Sequence, residues 1–200
     1  MPLQRPQALE LIDAAFPAEP LVLTLGGTIR EMLAVVGQKP NQLYSLDAMG
    51  QPLAIGLGLA LGLGRPASGG HLRKVVVVEG DGSLLMGFSS LATVGHLKPR
   101  NLVLIVLDNG VYLATGGQPT AASDVDLVAV ALGCGWAAAR DVESTPEAVR
   151  TALDWAREAD GPLLLRIRVG TEQPKTAFFL EDPVVLGRAF GDWLRSARSR

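Results

Sequence analysis

Cysteine occurs once in these 200 residues, at Cys134. One thiol allows no internal disulfide, and its Leu-Gly-Cys-Gly-Trp setting reads as a small buried position in a protein of a reducing compartment. The two histidines do not read as catalytic. His71 stands in a Gly- and Pro-containing loop, Arg65 to Leu72, and His96 lies late on a helix, where a hydrogen-bonding side chain suits the carbonyl end. The net charge is only −2, and no basic stripe with interleaved aromatics occurs, so nucleic acid and acidic membrane are poor partners. The longest apolar run, Pro52 to Gly64, is too short to span a bilayer and reads as a buried helix. No basic-then-apolar signal opens the chain. These absences leave a cytoplasmic enzyme or subunit. A hydrophobic content of 48% suffices for one domain over residues 1–200 with a full core and is too little chain for two.

What is present is an alternation of short apolar runs with helical periodicities. Strands are expected at Leu21 to Leu25, Gln42 to Leu46, Val75 to Val78, Leu102 to Leu107, Trp136 to Ala139 and Pro162 to Val169. Helices are expected from Gln7 to Phe16, Ile29 to Val36, Pro52 to Gly64, Ser83 to Leu97, Val125 to Leu132, a capping box at Ser144 or Thr145 through Trp155, and Val184 to about Ala197. Tyr112 to Ala122 reads as a polar, Gly-rich loop. Val75 to Val78 and Leu102 to Leu107 show no alternation, which is the pattern of strands buried on both faces of a parallel sheet. The fold class is therefore α/β: a doubly wound, mainly parallel six-stranded sheet with helices on both faces. Small residues spaced four apart in Pro52 to Gly64 favour close packing, against the sheet or against a partner.

Two turns carry the chemistry. Gly80-Asp81-Gly82-Ser83 ends one buried strand and Asp108-Asn109-Gly110 ends the next. A right-handed crossover puts both at the carboxyl edge, where open α/β sheets bind ligands. The glycines let backbone approach a ligand, and Ser83 opens a helix whose free N–H groups attract an anion. A carboxylate beside a phosphate needs a cation between them. Asp81 and the Asn109 side-chain oxygen are hard donors that suit Mg²⁺. Both turns also have plain readings, GDG as a common loop and Asn-Gly as a hairpin signal, although a full helix separates the two strands. Gly26-Gly27-Thr28 is either a third site edge or ordinary turn chemistry.

GDGS at 80–83 and DNG at 108–110, with Asp81 and Asn109 28 residues apart, resemble the cofactor motif of thiamine-diphosphate-dependent enzymes. The resemblance implies that Asp81, Asn109 and the carbonyl of Val111 hold Mg²⁺ and that Gly82 and Ser83 lie against the diphosphate. Gly80 and Tyr112 join the cofactor-binding set. The family's usual Asn-Asn is Asp108-Asn109 here, with the ligand position kept. Tyr44 to Gly50 resembles the loop that supports the thiazolium ring, with Met49 beneath it and the carbonyl of Asp47 accepting from the cofactor's amino group; Met49 as ordinary core is the plain alternative. Gly26-Gly27-Thr28-x-Arg30-Glu31 and the run from Asp108 to Thr120 look like sulfopyruvate and phosphonopyruvate decarboxylases.

That family activates its cofactor with a glutamate from a separate pyrimidine-binding domain. The resemblance therefore implies a β subunit of a split 2-oxoacid decarboxylase, active with an α subunit that carries this glutamate, and self-associating. For the substrate's phosphono or sulfo group the candidates are Thr115, Gly116, Gly117, Gln118 and Lys175, each of which could equally be loop structure. One departure matters: Asp47-Ala48-Met49-Gly50 stands where those decarboxylases are expected to have Gly-Ser-Met-Gly. An added carboxylate near a dianionic substrate is unfavourable by a few kcal/mol at an effective dielectric of about 20. The alternatives are a thiamine-dependent decarboxylase or carboligase for another 2-oxoacid, or a non-catalytic thiamine-diphosphate-binding module.

Overall fold

The computed structural model describes residues 2–64 and 74–198, so the loop holding His71 lies outside the described residues. In chain order the elements are α1 (Arg5–Ala15), β1 (Leu21–Thr24), α2 (Gly27–Val35), β2 (Gln42–Ser45), α3 (Pro52–Leu63), β3 (Val75–Gly80), α4 (Asp81–Met86) and α5 (Ser90–Leu97). There follow β4 (Leu102–Asp108), β5 (Val111–Tyr112), β6 (Gln118–Pro119), α6 (Leu127–Gly133), β7 (Ala138–Val142), α7 (Pro146–Glu158), β8 (Leu163–Arg168) and α8 (Pro183–Arg198). Six strands form one all-parallel sheet in the order β2-β1-β3-β4-β8-β7. The order reverses between β1 and β3, and such a switch point opens a crevice at the carboxyl ends.

Burial on both faces explains the unbroken apolar strands. Val76 and Val78 of β3 join a core with α1, α2 and α7, through Leu9, Ile12, Met32 and Leu153. Val75 and Val77 face the other way, into a core with α3, α4, α5 and α6. Alternate side chains thus serve opposite layers, as the two-residue strand period requires. The close approach of α3 is made possible by Gly56, where a Cβ would run into the Val77 side chain. Gly58, on another side of the same helix, has nothing within 4 Å of that position. Among the described residues no helix is long and apolar enough to cross a membrane.

Four local expectations shift. The helix after the GDG turn is broken in two at Gly87, because a Cβ there would overlap the carbonyl of Gly50 and the two backbones must touch. The segment expected as a plain loop after Tyr112 forms a small antiparallel pair, β5 with β6. β7 starts at Ala138 because Trp136 turns inward, donating from Nε1 to the Leu91 carbonyl at 2.9 Å. α6 starts at Leu127 because Asp126 caps it, accepting from the Ala129 N–H. At α7 the cap is Thr145, which accepts from the Ala148 N–H and places Pro146 at the first helical position. Ser144 instead accepts from the Leu3 N–H and donates to the Arg168 carbonyl.

Candidate functional site

The switch-point crevice is walled by the ends of β1, β3 and β4. Gly26, Gly27, Thr28, Gly80, Asp81 and Asn109 are among its lining residues. Gly26 caps α2 at φ 77°, a left-handed conformation that glycine accepts without strain. A Cβ built on Gly26 or Gly80 meets nothing within 4 Å, so these glycines leave open room in the crevice. Gly82 differs, since the Tyr112 ring packs where its Cβ would be and the Tyr112 hydroxyl donates to the Gly82 carbonyl at 3.4 Å.

Asp81 is only 2% exposed. Its Oδ2 accepts from the Thr120 hydroxyl at 2.5 Å and its Oδ1 from the Asn109 backbone N–H at 3.4 Å. Burial pushes its carboxyl above the ordinary range; the Thr120 bond opposes that rise, and the neighbouring Asp108 adds to it. A cation here would reverse the balance by favouring the charged form.

The Ser83 hydroxyl joins three strand ends. It accepts from the Thr24 hydroxyl (3.0 Å) and the Gly50 N–H (3.1 Å) and donates to Glu79 Oε1 (3.2 Å). Glu79 is fully buried, and burial raises its carboxyl to about 8 against the lowering effect of the Ser83 bond. Among the described residues its other oxygen has no partner. This hydroxyl therefore pins the loop after β2 to the turn after β3.

The DNG turn is held from behind. Asp108 Oδ1 accepts from the Gly110 N–H, while Oδ2 takes Arg166 Nε at 2.7 Å and Nη2 at 2.5 Å. Arg166 also donates to the Ala122 carbonyl. A buried pair with both partners this well bonded fixes a unique turn, and losing one partner would strand the other charge. Asn109 Oδ1 accepts from the Val111 N–H at 3.1 Å and keeps a second lone pair. The ladder bonds flank Val111, from the Thr120 N–H to the Gly110 carbonyl and from the Gly117 N–H to the Tyr112 carbonyl. Val111 opposite Pro119 is thus the non-hydrogen-bonded pair, whose backbone groups turn away from the partner strand.

Met49, Val111, Tyr112 and Thr115 line the same crevice, whereas Asp47 lines an adjoining cavity. Asp47 is exposed and has φ 53°. That left-handed backbone is one that glycine adopts freely and that aspartate tolerates. Thr115 and Gln118 bond each other and close the hairpin. Gly116 and Gly117, both at positive φ, make that turn. Lys175 is exposed.

Residues 30–167 match the family model for the thiamine pyrophosphate enzymes, C-terminal TPP binding domain. The chain belongs to this family. A phosphonopyruvate decarboxylase of Streptomyces viridochromogenes is 42% identical over 81% of the chain and 38% of its own length. A sulfopyruvate decarboxylase subunit beta of Methanothermobacter thermautotrophicus is 35% identical over 84% of the chain and 83% of its own length. The chain thus spans about two fifths of the first relative and most of the second. The fold matches the benzoylformate decarboxylase structure of Polynucleobacter necessarius with a TM-score of 0.69 at 22% identity, over 87% of the chain and 34% of that structure.

The thiamine-diphosphate-binding domain fits its cofactor here in two respects: the glycine-lined opening at Gly26 and Gly80, and the buried Asp81 carboxylate beside the Asn109 turn at the adjacent ends of β3 and β4. Sequence reasoning missed Thr24, Thr120 and Arg5 as parts of this site. It also missed Glu79 and Arg166, although each is a charge inside an otherwise apolar strand, and such a residue signals a bonded partner or a function.

Proposed function

We propose that the chain is one diphosphate-binding domain, the β-type subunit of a thiamine-diphosphate- and Mg²⁺-dependent 2-oxoacid decarboxylase acting on sulfopyruvate or phosphonopyruvate. The observation that carries this reading is Asp81, buried and hydrogen-bonded to Thr120, set beside Asn109 at the switch point. The names and coverage of the two relatives support the substrate class and the subunit role.

In this reading Asp81, Asn109 Oδ1 and the Val111 carbonyl hold Mg²⁺, three hard oxygens leaving room for diphosphate oxygens and water. The backbone at Gly80 and Gly82 and the start of α2 at Gly27 and Thr28 receive the diphosphate. Met49 supports the cofactor's rings and the Asp47 carbonyl accepts from its amino group. Ser83 contributes through its position rather than its hydroxyl, which is already bonded on three sides. When bound, thiamine diphosphate supplies the electron sink that lets the 2-oxoacid release CO₂. The activating glutamate comes from an α subunit with a pyrimidine-binding domain, and the complex self-associates in the cytoplasm. A second reading, another 2-oxoacid as substrate, is favoured by Asp47, which adds a carboxylate to the adjoining cavity.

Co-expression with a pyrimidine-domain subunit and measurement of CO₂ release tests the proposal. Release from sulfopyruvate or phosphonopyruvate should require both subunits, cofactor and Mg²⁺. Full-rate release by the purified chain alone, or none from any 2-oxoacid by the pair, overturns it.

A further inference from the structure

The adjoining cavity, of about 680 Å³, shares Leu25, Gly26, Leu113, Ala114 and Gln173 with the cofactor crevice. The two are chambers of one opening at the carboxyl edge. Of the arginines near this edge, two are neutralised by buried carboxylates. Arg5 grips Glu31 through Nε (2.8 Å) and Nη2 (2.5 Å), and Arg166 grips Asp108. Arg30 lines the second chamber, and among the described residues its side chain makes no ion pair and no hydrogen bond. Its guanidinium lies over the Phe178 ring, 5.3 Å from the centroid, and its Nε is shielded from solvent without a partner.

A half-buried guanidinium with no paired carboxylate, lining a cavity, is suited to receive an anion. The ring contact uses the face of the guanidinium and takes up none of its terminal N–H donors. Two carboxylates, Asp47 and Glu181, line the same chamber, but both are exposed and neither pairs with Arg30. Solvent and salt screen such exposed carboxylates, so neither neutralises Arg30 as buried Glu31 neutralises Arg5. The Thr115 to Gln118 turn is not an equivalent receptor, since its polar groups satisfy one another.

We propose that Arg30 is the receptor for a sulfonate or phosphonate group carried by the ligand, bound through its terminal nitrogens in the second chamber while the rest of the ligand reaches the cofactor crevice. The anion site stands on Arg30 and its cavity; that its ligand is a decarboxylase substrate rests on the function proposed above. Arg30 then sets specificity between anionic and neutral 2-oxoacids, and touches no reacting atom.

Two measurements decide it. The first follows the arginine Nε–H resonances of the ¹⁵N-labelled chain during titration with sulfoacetate, phosphonoacetate and, as comparator, acetate. The Arg30 signal, assigned by its disappearance in Arg30→Lys, should shift saturably with the first two and bind acetate at least tenfold more weakly. Affinity for sulfoacetate should fall tenfold or more in Arg30→Gln and recover in part in Arg30→Lys, whose retained charge also controls for folding. The second is the ratio of kcat/KM for sulfopyruvate over 2-oxobutanoate in the two-subunit complex, which should drop at least tenfold in Arg30→Gln. Saturable binding without turnover of any 2-oxoacid keeps the anion site and overturns the decarboxylase reading. Turnover with an unmoved ratio and no Nε shift overturns the anion site and leaves the decarboxylase reading standing.

Discussion

The two edges of the same parallel sheet bond most of their buried polar groups differently. At the amino edge three buried polar side chains are tied to backbone carbonyls: Asn41 donates to that of Glu19, Lys74 to that of Ala159 and Asn101 to that of Ala60, while Gln42 accepts from the Tyr44 hydroxyl and keeps its Nε2 unpartnered. Gly161 there is wedged among the carbonyls of Pro99, Arg100 and Leu102. At the carboxyl edge side chains bond side chains, Thr24 to Ser83, Ser83 to Glu79, Thr120 to Asp81 and Arg166 to Asp108. There Glu79 and Arg30 each keep a shielded atom without a partner, and Gly26 and Gly80 open onto free space. One edge closes the fold, while the other holds stabilisation back for a ligand.

The largest test of that contrast is a pH titration of stability without cofactor. The folded-state value of Glu79, about 8, lies above its ordinary 4.5. The folded state therefore binds this proton more tightly than the unfolded chain does, so the contribution is complete below about pH 4.5 and is lost as pH rises to about 8. The loss is on the order of 5 kcal/mol. Denaturant unfolding across this range should show the decline, and Glu79→Gln should flatten most of it. An equal slope in the variant would remove Glu79 from the account.

Next in size is a pair of glycine substitutions at the two edges. Gly161→Ala drives a Cβ against three carbonyls and should lower stability by about 3 kcal/mol. Gly80→Ala meets nothing and should change stability by about 0.5 kcal/mol or less. Only the second should weaken thiamine diphosphate binding, by tenfold or more. Unfolding curves with calorimetric titration separate the two effects, and equal losses of stability at both positions would erase the distinction between the edges.

Much of the sheet was legible because physics forces it locally. Runs such as Val75 to Val78 have no solvent face to alternate with, and glycine-rich turns must follow where backbone approaches a ligand. The grouping of Gly80 to Ser83 with Asn109, Val111 and Met49 in one crevice follows from parallel topology alone. What stayed hidden depends on residues distant in sequence. Nothing in the N-terminal helix foretells that Arg5 reaches the crevice beside Glu31, and the helix break at Gly87 exists only because Gly50 arrives there. The β5–β6 pair has two residues per strand, too few to show a period. Arg166 was visible as a charge in Leu-Leu-Leu-Arg-Ile-Arg, but its partner Asp108 lies 58 residues away.

The central claim is that the carboxyl edge holds a metal-dependent cofactor seat centred on Asp81. Calorimetric titration of thiamine diphosphate into the subunit pair, with Mg²⁺ and then with EDTA, tests it most directly when repeated on Asp81→Ala. The account predicts that affinity falls at least tenfold, about 1.4 kcal/mol or more, both on chelation and in the variant. Binding unchanged by the mutation, or indifferent to EDTA, would contradict it.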